Sequence, residues 1–568
     1  MSSPLPLPSR FPSRSEPDRR SSSERSGPAG RSSPAARSLI ALGLAAAMAL
    51  SGCGADPQTA AGPGASTPAR GGTLRLAYDN DPKCIDGQQN GTNNALNISR
   101  QMTDSLTDQD PKTGAIKPWL ATSWTVGEDA RTYTFKLRHG VKFHDGTPFT
   151  AQSVKQNFSG IAALGAKAQL ASTYLAGLKS ISTPDAHTVR IAFKEPNAQF
   201  LQATSTMSLG FYAPATWKLT PEQRCTGGLV GTGPFELDGY TPGSGARLTR
   251  FADYAWPSSL PRHRGPAYLA ALDFQNVAEA SVRTGSLSSG DIDVDQSVQP
   301  QNEELLQASN FQLAARPNPG VVYSFYVNTA SPIFADARVR RALGQGIDRP
   351  ELRALLSREQ SEATSALAAS TPGYRNRAGT LSYDPAGAKR LLDQAGWHLR
   401  AGSDIRVKDG RPLRVELPYW QNAPFLELIA QQLRGIGIEL ELKRVTSTQQ
   451  TALKQAGELD LLFANLTRAD PDILRSVYAV DAQNQTGKHR DGIDELFDRS
   501  TATVDPAERY ALLGRAGDEL VKGGFAVPLV ELSTVMALAP QVRGFHYEAS
   551  SRFQLYDTWL AGRAGEGE

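Results

Sequence analysis

The chain has 568 residues, 40% of them hydrophobic, with 60 basic against 57 acidic side chains and a formal charge of +3. This length builds at least one large core spread over two or three lobes and excludes a small disulfide scaffold. Seven of the arginines but only three of the acidic residues fall within residues 1–38, leaving 53 basic and 54 acidic residues for the rest. The basic excess therefore belongs to a tail, and no folded basic surface for nucleic acid is implied.

Of the first 38 residues, 26 are Ser, Pro or Arg, a composition that builds no core. Residues 39–50, LIALGLAAAMAL, are uncharged and are entered from Arg31 and Arg37. As a helix they rise about 18 Å against a hydrocarbon thickness of about 30 Å, so they read as a signal-peptide core and not as a permanent span. The run ends in Leu50-Ser51-Gly52-Cys53, which is similar to the bacterial lipoprotein box. That resemblance implies that Cys53 is acylated and becomes the mature N-terminus, with 1–52 removed and 53–72 a linker rich in Gly, Pro, Ala and Thr. The alternative is a buried apolar helix with an incidental Cys. The long region before residue 39 also allows a translation start downstream of Met1.

With Cys53 set aside, Cys84 and Cys225 remain, and outside the membrane an isolated pair reads as a disulfide. The loop closed would be about 140 residues, for which chain entropy sets a ceiling of about 5 kcal/mol. The seven histidines are scattered, and neither HExxH nor CxxC occurs, so no metal site and no cofactor are expected.

Downstream, 73–78 alternates as a first strand and runs into Asp79-Asn80-Asp81-Pro82, a turn. Strands at 133–137 and 189–193 flank a helical stretch from residue 151, which predicts mixed α/β structure. Residues 335–356 place Val339, Leu343 and Ile347 on one stripe of a surface helix. Asp384 caps a helix opening with Pro385. The order strand 413–417, helix 424–434, strand 438–443, helix 447–456, strand 459–464 predicts an α/β lobe. Asp505-Pro506 with Glu508 starts a further helix before a strand at 527–530. In open α/β sheets ligands sit at strand ends, which directs attention to the loops after Leu417 and Phe463.

The stretch from Phe135 to Thr150, FKLRHGVKFHDGTPFT, resembles the family-5 solute-binding proteins of ABC importers. So do Gly231-Thr232-Gly233-Pro234-Phe235, the Arg338–Arg349 segment and Tyr383-Asp384-Pro385 with Ala395-Gly396-Trp397. The segment Thr249 to Trp256 matches loosely, with Ala255 inserted and a proline missing. The resemblance spans about residues 71–560 and implies a two-lobed α/β periplasmic-binding-protein-like fold of type II with an extra subdomain. Lobe I is expected over 73–118, 225–320 and 546–568, the subdomain over 119–224, and lobe II over 321–545. His144-Asp145 is scaffold in this reading and not a catalytic dyad.

In peptide-binding members a Trp and, three residues on, an Asp precede the Asp-Pro-Asp segment, and that carboxylate takes the ligand's ammonium group. Here Asp470-Pro471-Asp472 is kept, but Ala464 and Thr467 occupy the other two positions. A hydroxyl cannot supply the charge-assisted bond of a buried ammonium. The adjacent Arg468 suits a carboxylate or phosphate, unless it faces solvent. Tyr419 and Trp420 offer an aromatic wall or core packing. Asn80 and Asp81 lie where the family loop faces the cleft, Tyr323 and Tyr326 are hinge or floor residues, and Asn465 offers directional polar bonds. Asp470 and Asp81 are the alternative amine anchors.

The resemblance implies a monomeric, non-enzymatic binding protein, lipid-anchored at the outer face of the bacterial cell membrane. It would hand a peptide or peptide-like solute to an ABC permease and its ATPase subunits. A carboxylated metabolite, sugar or organic metal chelate is the alternative ligand. An exported hydrolase is less favoured, since no nucleophile motif such as G-x-S-x-G occurs.

Overall fold

A computed structural model describes residues 67–562. The expected signal peptide, residues 1–52, and the expected lipidation site Cys53 lie outside the described residues.

Strand Thr73–Tyr78 forms where expected, with Leu74, Leu76 and Tyr78 buried on one face. It is a central strand of a seven-stranded mixed sheet, parallel to Ala271–Asn276 on one side and Val294–Asp295 on the other. Strands Gly245–Arg250 and Phe235–Thr241 extend one edge, and Ser533–Leu538 and Gln312–Pro317 the other, all antiparallel to their neighbours. A separate antiparallel sheet of Ala121–Val126, Thr132–Leu137, Thr188–Phe193 and Leu178–Asp185 carries helix Ala151–Leu164. Its core is aromatic: Phe200 meets Tyr133 at 4.9 Å and Phe193 at 4.8 Å, edge to face. The sulfurs of Cys84 and Cys225 are bonded, and Ile85 N–H donates to Cys225 O beside the bridge.

The second lobe is built around Gly320–Val327, antiparallel to Leu461–Thr467 and Ala526–Glu531. Beside them lies a parallel pair, Arg414–Tyr419 with Glu439–Arg444, connected by helix Phe425–Arg434, which buries Phe425, Leu426, Ile429 and Leu433. The alternation of strand and helix from 413 onward is as the sequence predicts. The expected helix 335–356 is shorter: it is α-helical over Ala337–Gln345 and resumes as a 3₁₀ segment, Pro350–Leu355. Pro350 lacks the N–H that would continue the ladder.

The chain crosses between lobes twice, from Gln312–Pro317 into Gly320–Val327 and from Ala526–Glu531 into Ser533–Leu538. Residues 533–545, expected in the second lobe, therefore begin as a strand of the first lobe's sheet. The cause is pairing: Ser533–Leu538 lies between Gln312–Pro317 and Val294–Asp295 and satisfies its backbone there. The two crossings are tied by Asn318 N–H donating to Leu532 O at 2.8 Å.

Several quoted motifs close backbone and packing. Tyr254 and Trp256 donate to the buried Asp104 at 3.1 and 2.9 Å. Arg340 donates to Phe334 O, Ala335 O and Gly523 O. His144 accepts from Gly231 N–H through Nδ1 and donates to Gly233 O through Nε2, while Asp145 accepts from Thr147 N–H. Burial pushes the His144 imidazole down to about 4, a neutral scaffold group.

Candidate functional site

Strand Leu461–Thr467 runs three residues past its expected end at Ala464, so the loop expected after Phe463 begins only at Arg468, at the hinge. Gly320, at φ +110°, pairs with Thr467, and a Cβ there would meet Leu466 O at 2.3 Å and Arg468 N at 2.7 Å. Glycine thus permits the close approach that fixes the backbone of Arg468, whose N–H donates to Pro319 O at 2.9 Å. The Thr467 hydroxyl accepts from Asn318 Nδ2 at 3.3 Å, and Asn318 Oδ1 accepts from Thr534 at 3.0 Å. Thr467 is therefore engaged at the hinge.

Arg468 reaches across to the first lobe's subdomain. Its guanidinium lies 5.2 Å from the centroid of the Tyr174 ring, and Nη1 is 3.5 Å from Thr173 Oγ1. Close to the crossing stands Arg552, at the tip of a hairpin between His546–Tyr547 and Phe553–Gln554 whose Ser551 donates to Pro317 O at 3.1 Å. The turn is closed by Glu548 N–H donating to Arg552 O at 2.8 Å, with Ser551 at φ +59°. Arg552 is 5% exposed. Its Nη1 donates to Ser550 O at 2.7 Å and its Nη2 to Asn93 Oδ1 at 2.6 Å, while Nε is buried without a partner. Burial pushes this guanidinium down to about 10; Glu548 and Tyr174 oppose the shift and Arg468 adds to it. Glu548 itself pairs with the buried Arg100 at 2.9 Å. Among the described residues, no carboxylate lies within ion-pair distance of Arg468 or Arg552.

Further contacts join the lobes along the seam: Ala198 N–H to Thr501 O at 2.9 Å, Asn422 Nδ2 to Gln299 Oε1 at 3.2 Å, and Arg358 N–H to Glu303 Oε2 at 3.3 Å. The lobes are thus in contact.

The remaining sequence-derived residues divide. Asn80 is exposed, and its carbonyl accepts from Asn94 next to Asn93, placing it near the Arg552 contact. Asn465 is half-buried in the strand that leads to Arg468, and Trp420 is 46% exposed beside Asn422. Tyr419 lies under Arg444, 5.2 Å from its guanidinium. Tyr323 stacks on Phe463 at 4.9 Å, its phenol pushed up to about 12 by burial, and Tyr326 is buried against Tyr478. Both tyrosines pack within the second lobe.

Two of the carboxylates weighed as amine anchors already have partners within their own lobes. Asp81 uses both oxygens on the first lobe, accepting from Tyr240 at 2.6 Å and Gly243 N–H at 2.8 Å. Asp470, 4% exposed, forms a two-pronged pair with Arg509 at 2.9 and 2.5 Å and accepts from Asp472 N–H. Both oxygens of each carboxylate already face a donor, filling two of about four acceptor positions at Asp81 and three at Asp470, so neither stands unpaired for a ligand's ammonium.

Arg552, Asn93, Thr173 and Tyr174 were not identified from the sequence. Each sits in a polar or mixed segment without periodicity or motif, and only the fold brings it to the seam. Among the described residues, no group of three or more His, Cys, Asp or Glu is placed to hold a metal ion. No described helix is long and apolar enough to cross a membrane.

The sequence pattern of bacterial extracellular solute-binding proteins, family 5 Middle, matches residues 115–488. The chain is 29% identical to the nickel-binding periplasmic protein of Escherichia coli (strain K12) over 464 residues, covering 76% of this chain and 84% of that protein. It is 24% identical to the glutathione-binding protein GsiB of the same strain over 470 residues, covering 78% and 86%. Among solved structures, NikA from Brucella suis in complex with Fe(III)-EDTA superposes with a TM-score of 0.74 at 24% identity, covering 86% of this chain and all of that one. The oligopeptide-binding protein AppA from Bacillus subtilis, with a nonapeptide, gives 0.71 at 20% identity, covering 87% and 100%. The motifs, the two lobes joined by paired crossings and the match over 115–488 converge: the chain belongs to family 5 of the bacterial extracellular solute-binding proteins.

Proposed function

We propose that the chain captures a peptide or peptide-like solute in the seam between its lobes and hands it to an ABC permease driven by separate ATPase subunits. It works by binding alone, as a monomer held at the outer face of the bacterial membrane through acylated Cys53. The observation that supports the capture site is Arg468. It is fixed at the hinge by Gly320 and laid across the seam onto Thr173 and Tyr174. A ligand held there would touch both lobes and the strand that links them, and so favour the closed arrangement over an open one.

Thr467 is uncharged and bonded at the hinge, and Asp81 and Asp470 already accept from Tyr240 and Arg509, so none of the three is an unpaired anionic anchor for a free amine. This favours solutes recognised by something other than an α-ammonium group. It also supports the second reading, a carboxylated metabolite or organic chelate.

Native mass spectrometry of the exported protein tests capture. One small solute per chain, released on unfolding, is expected, and Arg468→Ala should lower its affinity by about 30-fold or more. A protein that retains nothing and closes on nothing would contradict the reading. Anchoring is tested by mapping the mature N-terminus, where a diacylated Cys53 is expected and Cys53→Ser should leave the protein unacylated. A mature N-terminus elsewhere, without lipid, would refute it.

A further inference from the structure

We infer that Arg468 and Arg552, one from each lobe, form a single anion-binding site across the seam, so that the captured solute carries a carboxylate or phosphate group. This rests on the capture reading and adds the class of group recognised.

Three observations carry it. The two arginines stand at the same crossing: Ser551, next to Arg552, donates to Pro317 O at 3.1 Å, and Arg468 N–H donates to Pro319 O at 2.9 Å, and among the described residues neither guanidinium has a carboxylate within ion-pair distance. Arg552 is 5% exposed, its Nη atoms are held by Ser550 O and Asn93, and its Nε lies buried without an acceptor. Arg468 is held only loosely on the far side of the seam, by an aromatic face and a hydroxyl at 3.5 Å.

Burying a cation with an unmatched donor is unfavourable, and bringing a second cation to it adds repulsion. An anion bridging the two removes both costs, because planar guanidinium groups pair with carboxylate and phosphate oxygens through charge-assisted bonds. Closure of the lobes and recognition of the anion are then coupled: the like charges are held together at lower cost when a negative group stands between them. Ser551, a non-glycine residue at φ +59°, is part of the turn that presents Arg552, and backbone strain of this kind concentrates at ligand clamps.

The test uses the mature chain with isothermal titration at fixed ionic strength. The probes are inorganic phosphate, trialanine and trialanine amide, titrated into wild type, Arg468→Gln and Arg552→Gln, with Arg468→Lys as a conservative variant. Wild type should bind phosphate or trialanine, and it should bind the amide about 30-fold or more weaker than the acid. Each Gln variant should lose about 30-fold or more and no longer distinguish acid from amide. Lys at 468 should keep part of the affinity.

Phosphate binding without trialanine binding assigns a phosphorylated solute, and the reverse assigns a carboxylate. Circular dichroism and unfolding midpoints establish that the variants are folded. The inference is overturned if folded Gln variants bind as wild type does, or if neither phosphate nor trialanine binds wild type. It is likewise overturned if the solute retained by exported protein has no anionic group; in that case the capture reading stands alone. Retention of no solute, together with no binding of any probe, would remove both.

Discussion

Asp470 and Arg468 stand two residues apart and have opposite surroundings: the carboxylate is consumed inside the lobe by Arg509, while the guanidinium is turned outward to the seam. Removing one partner of a buried ion pair leaves an uncompensated charge, so Asp470→Asn should cost about 3–5 kcal/mol of stability by denaturant unfolding. The folded fraction should still bind solute; loss of binding with stability intact would make Asp470 a ligand residue after all. His144 gives a pH signature. Its imidazole stays neutral in the folded chain, down to about 4, against 6.5 when unfolded. The unfolded state therefore binds the proton first, and stability present above pH 6.5 is lost as pH falls toward 4. With its partial exposure allowed for, the loss is about 2 kcal/mol. Unfolding measured at pH 7.5 and 4.5 should show a smaller difference in His144→Asn; equal differences would exclude the residue as the source. At this scale the Asp-Pro-Asp segment and the position of Arg468 were legible in the sequence. The pairing of Asp470 was not, because its partner lies 39 residues away on helix Pro506–Lys522.

The hinge strands set where those residues stand. Gly320→Ala would drive a Cβ into Leu466 O and Arg468 N, so the end of Leu461–Thr467 must shift and carry Arg468 with it. Stability should fall by about 1–3 kcal/mol from the left-handed conformation alone. Solute affinity should fall as well, and titration that found it unchanged would separate the hinge from the site. The Cys84–Cys225 bridge closes a separation of 141 residues that contains the four-stranded subdomain. Reduction, or Cys225→Ser, should cost about 2–5 kcal/mol in denaturant unfolding, while a midpoint unmoved by reductant would show that the bridge contributes nothing. Strands such as Thr73–Tyr78 and the alternation from 413 onward were readable because their apolar period is clean. The helix beyond Gln345 failed at Pro350, where the apolar stripe continues but the backbone ladder cannot. The crossing at Ser533 had no local signal: a buried strand reads the same whichever sheet it joins.

Two lobes joined by two short crossings can move as bodies, since the contacts between them are few polar bonds and not a continuous core. The buried clusters bear this out: one is drawn from the first lobe and its subdomain, and the others from the second lobe. Family motifs made this architecture legible in the sequence, because they fix packing at turns and buried arginines. The pair of guanidinium groups was half legible: Arg468 follows a strand that was expected, but with its end three residues early, whereas Arg552 depends on how a C-terminal hairpin folds back over Asn93. Closure around a solute is the central claim, and small-angle X-ray scattering of the mature protein tests it most directly. The solute is removed by partial unfolding and refolding and then returned. The radius of gyration should rise on removal and fall on return, with the fall weakened in Arg468→Ala. A radius that is the same with and without a tightly bound solute would contradict capture by closing lobes.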